Sequence, residues 1–221
     1  NAGAGNGGAG SGNGGAGTGG MSGNAGKAGG GSGGAGAGGG GSGGTGGTDP
    51  NLPTGLSDRF PRGNSTGVCT DAALRLDFPQ AGTLGSSGRI QIFTVSGGTA
   101  VDSIDMSVQR ITDTIGGRSY NLVRPVFVDG NQAVAYFHQR RLTPNTAYYV
   151  TVDAGVFTSG SFQGITGNTA WRFTTGPAPT ASASLSVGAK GGGPICTVQG
   201  AIDTIPASNT NAVTVTVGTG I

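Results

Sequence analysis

The sequence predicts an all-β protein that carries one short helix near its carboxyl end. Between Gly67 and Thr175, short runs of alternating apolar and polar residues recur, separated by Gly, Pro, Asn and Asp; that period marks half-buried strands. All ten acidic residues are Asp, and Lys27 and Lys190 are the only lysines. The chain thus lacks the best charged helix formers, while its Thr and Val suit a pleated surface. A helical apolar period occurs once, from Thr197 to Ile205.

The chain divides into four stretches. Residues 1–57 read as a disordered tether: positions 1–48 are almost entirely Gly, Ala, Ser, Asn and Thr, with Lys27 the single charge. Such a tract has few side chains to pack and much backbone entropy to lose. It is not collagen-like, since glycine follows no three-residue period. Gly5, Gly7 and Gly10 satisfy a dinucleotide-loop spacing, but no strand precedes them. Residues 58–176 form the main domain, 177–184 a linker around Pro177-Ala-Pro179, and 185–221 a terminal segment. The net charge is +2, with basic residues scattered singly apart from Arg140–Arg141. A nucleic-acid partner is therefore not expected. No apolar run reaches membrane-spanning length. Position 1 opens inside the glycine tract, so an export signal is expected upstream of it.

In the main domain, Ala73-Leu-Arg-Leu-Asp-Phe78 places Leu74, Leu76 and Phe78 on one face. Gly85-Ser-Ser-Gly88 turns the chain into a strand from Arg89 to Val95, followed by strands over Ala100–Met106 and Tyr120–Val128. Asp129-Gly130 signals a hairpin into Ala133–His138. Strands over Ala147–Asp153 and Thr169–Thr175 complete about seven, the pattern of an antiparallel β-sandwich. Leu142-Thr-Pro-Asn-Thr-Ala-Tyr148 reads as a corner whose Tyr148 hydroxyl bonds back to the backbone. Tyr149 then points to the opposite face.

The terminal segment offers the strand Leu185-Ser-Val187, a glycine loop and a helix capped by Thr197. Val198, Ala201, Ile202 and Ile205 recur at helical spacing, with Gln199 and Asp203 turned outward. Pro206 ends the helix. Val213, Val215 and Val217 then alternate along a strand. A strand, a helix and a strand of this length cannot bury enough surface to offset their ordering entropy. The remainder of their core is expected in residues beyond this chain. Cys69 and Cys196 lack metal-ligand spacing; a disulfide between them, or two buried free thiols, are both open.

Two resemblances follow. With its opening Pro61-Arg-Gly63, the strand Leu74-Arg-Leu-Asp-Phe78, the Leu142–Tyr148 corner and the closing Trp171-Arg-Phe-Thr-Thr175, the main domain resembles the bacterial Ig-like domain of surface-layer and multidomain secreted proteins. That resemblance implies a spacer or presenter. Leu185-Ser-Val187, Thr197-Val-Gln-Gly-Ala-Ile-Asp203, Pro206 and Val213-Thr-Val-Thr-Val-Gly218 resemble the opening of the pectinesterase family. This implies the start of a right-handed parallel β-helix, with the helix capping its open end. Ile195-Cys196 departs from the family by replacing its usual aromatic. The family's two catalytic aspartates, its oxyanion glutamines and its arginine lie further along the β-helix than Ile221. No catalytic, cofactor-binding or metal-binding residue is carried onto this chain, which is expected to be inactive alone.

Single residues read blandly. His138 is the sole histidine and reads as a solvent-facing strand residue. Trp171 alternates with Phe173 and reads as core. Tyr136 and Tyr149 are the candidates for exposed stacking. Asp102, Asp105 and Asp113 lack calcium-loop spacing. Asp71 and Asp77 read as turn or surface charges, Arg140–Arg141 as a solvated pair, and Asn64-Ser-Thr66 as a sequon. The resulting expectation is the non-catalytic front portion of an extracellular or cell-surface protein whose parent enzyme hydrolyses pectin methyl esters. Its partner would be pectin or another cell-wall polysaccharide. The alternative is a surface adhesin or carbohydrate-binding Ig-like protein without enzymatic activity.

Overall fold

The computed structural model describes residues 49, 51–115, 117–138, 142–188 and 193–218. The glycine tract 1–48 and the Arg140–Arg141 pair lie outside them. The described chain is mostly β-sheet with one short helix.

Two larger sheets carry the main domain. In one, β1 (Asp58–Phe60), β3 (Leu74–Asp77), β10 (Gln132–Ala135) and β9 (Val126–Asp129) lie side by side in that order, all antiparallel. In the other the order is β2 (Ser65–Val68), β13 (Arg172–Thr175), β11 (Ala147–Val152), β5 (Arg89–Thr94) and β6 (Ala100–Asp105). Its pairings are antiparallel except β2 with β13. Alternation along each strand sorts its side chains. Leu74 and Leu76 of β3, Ile90 and Ile92 of β5, and Tyr148, Val150 and Val152 of β11 are all buried, and both sheets feed one apolar core. At one end β4 (Thr83–Leu84) pairs with β12 (Phe157–Thr158), and Phe78, Phe157 and Phe162 pack ring against ring there.

The run Tyr120–Val128, expected as one strand, is two. β8 (Arg118–Val123) pairs with β7 (Arg110–Ile115) as a separate two-stranded ribbon, and β9 starts afresh at Val126. Pro125 has no N–H to donate to a ladder. Arg124 turns the chain instead, its backbone N–H donating to Gln109 O and its guanidinium to Met106 O. The fold also begins earlier than position 58. Leu56 is buried, Leu52 packs on the core and the Asp49 side chain is enclosed. Residues 49 and 51–57 therefore belong to the domain rather than to the tether.

That extension is held by a buried charge. Arg59 sits inward on β1, opposite Leu76, with its side chain fully buried. Its Nε donates to Asp49 Oδ2 at 2.8 Å, Nη1 to Ala170 O at 2.7 Å and Nη2 to Asn51 O at 3.1 Å. The guanidinium lies 5.7 Å from the centre of the Trp171 ring. Trp171 is itself fully buried and donates its indole N–H to Pro61 O at 2.7 Å. Tyr148 occupies the corner anticipated for it: its hydroxyl accepts the Thr143 N–H at 2.9 Å. Tyr149, half-buried on the other face, stacks on Phe93 at 4.8 Å between ring centres.

Burial opposes ionisation of Asp49, but the Arg59 hydrogen bond and the N–H groups of Gly63 and Asn51 outweigh it, leaving its pKa below the ordinary 3.8. A lowered folded-state pKa contributes stability above the unfolded-state value and loses it as pH falls through the folded one. Unfolding below pH ~4 is thus expected to be sharper in the parent than in a chain with both partners replaced by apolar residues. At neutral pH, Asp49→Asn strands the Arg59 charge and is expected to cost roughly 3 kcal/mol in urea titration. The paired replacement Asp49→Leu with Arg59→Met is expected to cost much less.

Candidate functional site

The terminal segment meets the main domain at one joint. β14 (Ser184–Val187) and β15 (Thr214–Val217) pair in parallel, with α1 (Val198–Thr204) between them in the chain. Leu185, Val187, Ile195 and Ala201 form a small cluster of their own, flanked by Ile205, Val213 and Val215. Four buried residues make a thin core. The segment leans on the main domain instead.

Two contacts make the joint. Cys69 and Cys196 are joined as a disulfide across 127 positions, with Cα atoms 5.9 Å apart, and both lie in the main core. Beside it, Ala72 N–H donates to Cys69 O at 3.2 Å, closing a turn that carries Asp71. The Asp71 carboxylate accepts the Cys196 N–H at 3.0 Å, the Thr197 N–H at 2.8 Å and the Thr197 hydroxyl at 2.6 Å. Thr197 Oγ1 in turn accepts the Gly200 N–H at 2.9 Å, the cap expected of it. Asp71 is 9% exposed. Asp71 sits on a turn, as the sequence suggested, but it is not a surface charge: a carboxylate survives burial here because each oxygen has N–H or O–H donors.

The helix does not bury the stripe expected of it. Gly200 and Ala201 face inward, whereas Val198 and Ile202 are exposed. Gln199 and Asp203 are exposed and hydrogen-bonded to each other at 2.7 Å. Between α1 and the main domain lies a crevice of about 180 Å³, lined among others by Asp71, Tyr136, Phe137, Thr197, Gln199 and Asp203.

His138 is exposed, but Asp102 orients it. Its Nδ1 lies 2.9 Å from Asp102 Oδ1, and its backbone N–H donates to Asp102 Oδ2 at 2.7 Å. Sequence spacing gave no sign of this pair, which forms between residues 36 positions apart. Among the described residues no hydroxyl or thiol bonds its other ring nitrogen, so a nucleophilic triad is not assembled. Asp105 is occupied by Ser107 and Arg89, which hold its pKa at about 2. Asp77 accepts from Gln132 at 2.6 Å. Cys69, Asp71 and Cys196 cluster within 4.8 Å; with the sulfurs bonded to each other, no thiolate is left to ligate a metal. No helix among the described residues is long and apolar enough to cross a membrane.

Comparison with known proteins finds no family model that matches the chain and no matching curated relative.

The joint makes a directional prediction. Alanine favours a helix over glycine by about 1 kcal/mol, yet a Cβ on Gly200 would collide with the Asp71 carboxylate, whose Cγ stands 2.6 Å from it. Gly200→Ala is therefore expected to lower stability, and Asp71→Ala to cost ~2 kcal/mol through lost hydrogen bonds. In the Asp71→Ala background Gly200→Ala should turn neutral or stabilising. A double-mutant cycle by chemical denaturation checks the change of sign.

Proposed function

We propose that this chain is a mount: an Ig-like β-sandwich that holds the opening of a pectinesterase-like, right-handed parallel β-helix in a fixed place, within an exported protein whose parent activity is hydrolysis of pectin methyl esters. The observation that carries this reading is the joint itself. A covalent bond and a saturated buried carboxylate fix the terminal segment to the main domain, as presentation of a second module requires. A flexible spacer would need neither.

Further support comes from each half. The spatial orders β1-β3-β10-β9 and β13-β11-β5 suit the two sheets of an immunoglobulin-type fold, and the bond from Thr143 N–H to the Tyr148 hydroxyl, near the start of β11, suits the corner tyrosine of such folds. Parallel pairing of β14 with β15 suits the first rungs of a β-solenoid. A disulfide suits an oxidising, extracellular location. The carboxylates, glutamines and arginine of ester hydrolysis are expected downstream, so this chain takes no chemical part.

Reading the encoding gene past Ile221 is the direct test. Two aspartates, an arginine and glutamines in pectinesterase order are expected; a continuation without them overturns the enzymatic half of the proposal. The purified chain is expected to release no methanol from methyl-esterified pectin. With the disulfide intact, the stretch 177–184 is expected to resist limited proteolysis, and reduction should open it. Closing so long a loop stabilises by roughly 4 kcal/mol. Equal cleavage before and after reduction would remove the mount.

A further inference from the structure

The outer face of the four-stranded sheet carries an arrangement that the hydrogen bonds and disulfide of the joint do not use. Register places Phe60, Arg75, Val134 and Phe127 in one cross-strand row, and Asp58, Asp77, Gln132 and Asp129 in the next. Phe127 is 56% exposed and Tyr136 43% exposed. Their rings meet edge to face, 6.5 Å apart at 70°. Tyr136 continues the outward alternation of Gln132 and Val134, its N–H donating to Pro125 O. It also lines the crevice that Gln199 and Asp203 border. The guanidinium of Arg75, half-buried in the middle of the apolar row, makes no hydrogen bond or ion pair with another described residue.

We propose that this face is a binding platform for a neutral, hydroxyl-rich polysaccharide, running from Asp129 and Gln132 over Phe127 and Tyr136 into the crevice at Gln199 and Asp203. The chemistry of the row selects the ligand. Exposed aromatic rings offer flat apolar surface to the C–H face of a pyranose. Planar guanidinium, amide and carboxylate groups offer paired donors and acceptors to vicinal hydroxyls. Gln132 donates to Asp77 Oδ1 and keeps its own carbonyl oxygen for a ligand. Among the described residues, Asp77, Asp129 and Asp203 outnumber Arg75 along this path, so a polyanion is repelled where a neutral glycan is not. A protein partner is disfavoured as well: among the described residues of these rows only Phe60, Val134, Phe127 and Tyr136 are apolar, short of a stable interface core.

This inference is independent of the mount, which stands or falls on the proteolysis and gene tests. Its own test is affinity electrophoresis of the intact chain in native gels. The gels hold highly methyl-esterified homogalacturonan, hydroxyethyl cellulose, galactomannan, polygalacturonate or no polysaccharide. Retardation by at least one neutral glycan is expected, with none by polygalacturonate. Tyr136→Ala and Phe127→Ala are each expected to weaken it roughly tenfold with unchanged thermal unfolding, both side chains being exposed. Tyr149→Ala, on the other sheet, is the control and should leave retardation intact. Absence of retardation in every gel overturns the platform, as does retardation by the polyanion alone, or loss on Tyr149→Ala equal to that on Tyr136→Ala.

Discussion

A buried guanidinium organises the near half of this protein. Arg59 occupies a position on β1 that the strand's alternation turns toward the core, opposite Leu76. A charge there is tolerable only if its donors are matched and its sign balanced. Asp49 supplies the countercharge, Ala170 and Asn51 the carbonyls, and Trp171 a ring face. These partners come from two stretches far apart in the chain, Asp49 with Asn51 and Ala170 with Trp171. Satisfying one side chain therefore fixes the amino-terminal extension, the first strand and the approach to the closing strand together. Trp171, anchored to Pro61 by its indole N–H, reinforces the same meeting of first and last strands.

The far side uses the same device with opposite sign. Asp71 leaves the core on a tight turn and collects the first N–H groups of a segment that could not hold itself. For Arg59 the amino-terminal extension supplies Asp49 and Asn51 O while Ala170 O comes from the main domain; for Asp71 the terminal segment supplies the N–H groups. Hydrogen bonds of this kind are directional, unlike apolar contact, so they set orientation as well as attachment. The disulfide beside Asp71 adds permanence to a placement the carboxylate defines.

What could be read from the sequence was whatever depended on local period. Leu74, Leu76 and Phe78 are buried together, Tyr148 closes its corner, Trp171 is core and Thr197 caps the helix, because alternation, a Pro-Asn turn or a cap residue fixes each within a few positions. What escaped reading depends on partners far away in the chain. Asp71 looks like any turn aspartate until residues 125 positions later arrive to bond it. Arg59 gives no sign that a strand arginine will be enclosed, and Asp102 none that it will orient His138. The break at Pro125 was legible in principle, since a missing N–H interrupts a ladder, but the apolar residues on either side of it masked the signal.

Helix α1 shows which rule prevails when two compete. Its hydrophobic stripe of Val198, Ala201, Ile202 and Ile205 predicts one rotation about the helix axis. The cap predicts another, because Thr197 must face Asp71, and the residue three positions on must then come close to the same carboxylate. Only glycine fits there. With Gly200 pressed on Asp71 and Ala201 turned to the small cluster, Val198 and Ile202 are carried to the outside. A buried carboxylate left without donors costs more than the partial exposure of two aliphatic side chains, each worth about 1.5–3 kcal/mol if fully buried. Polar satisfaction at the joint sets how the helix lies, and the apolar pattern yields to it.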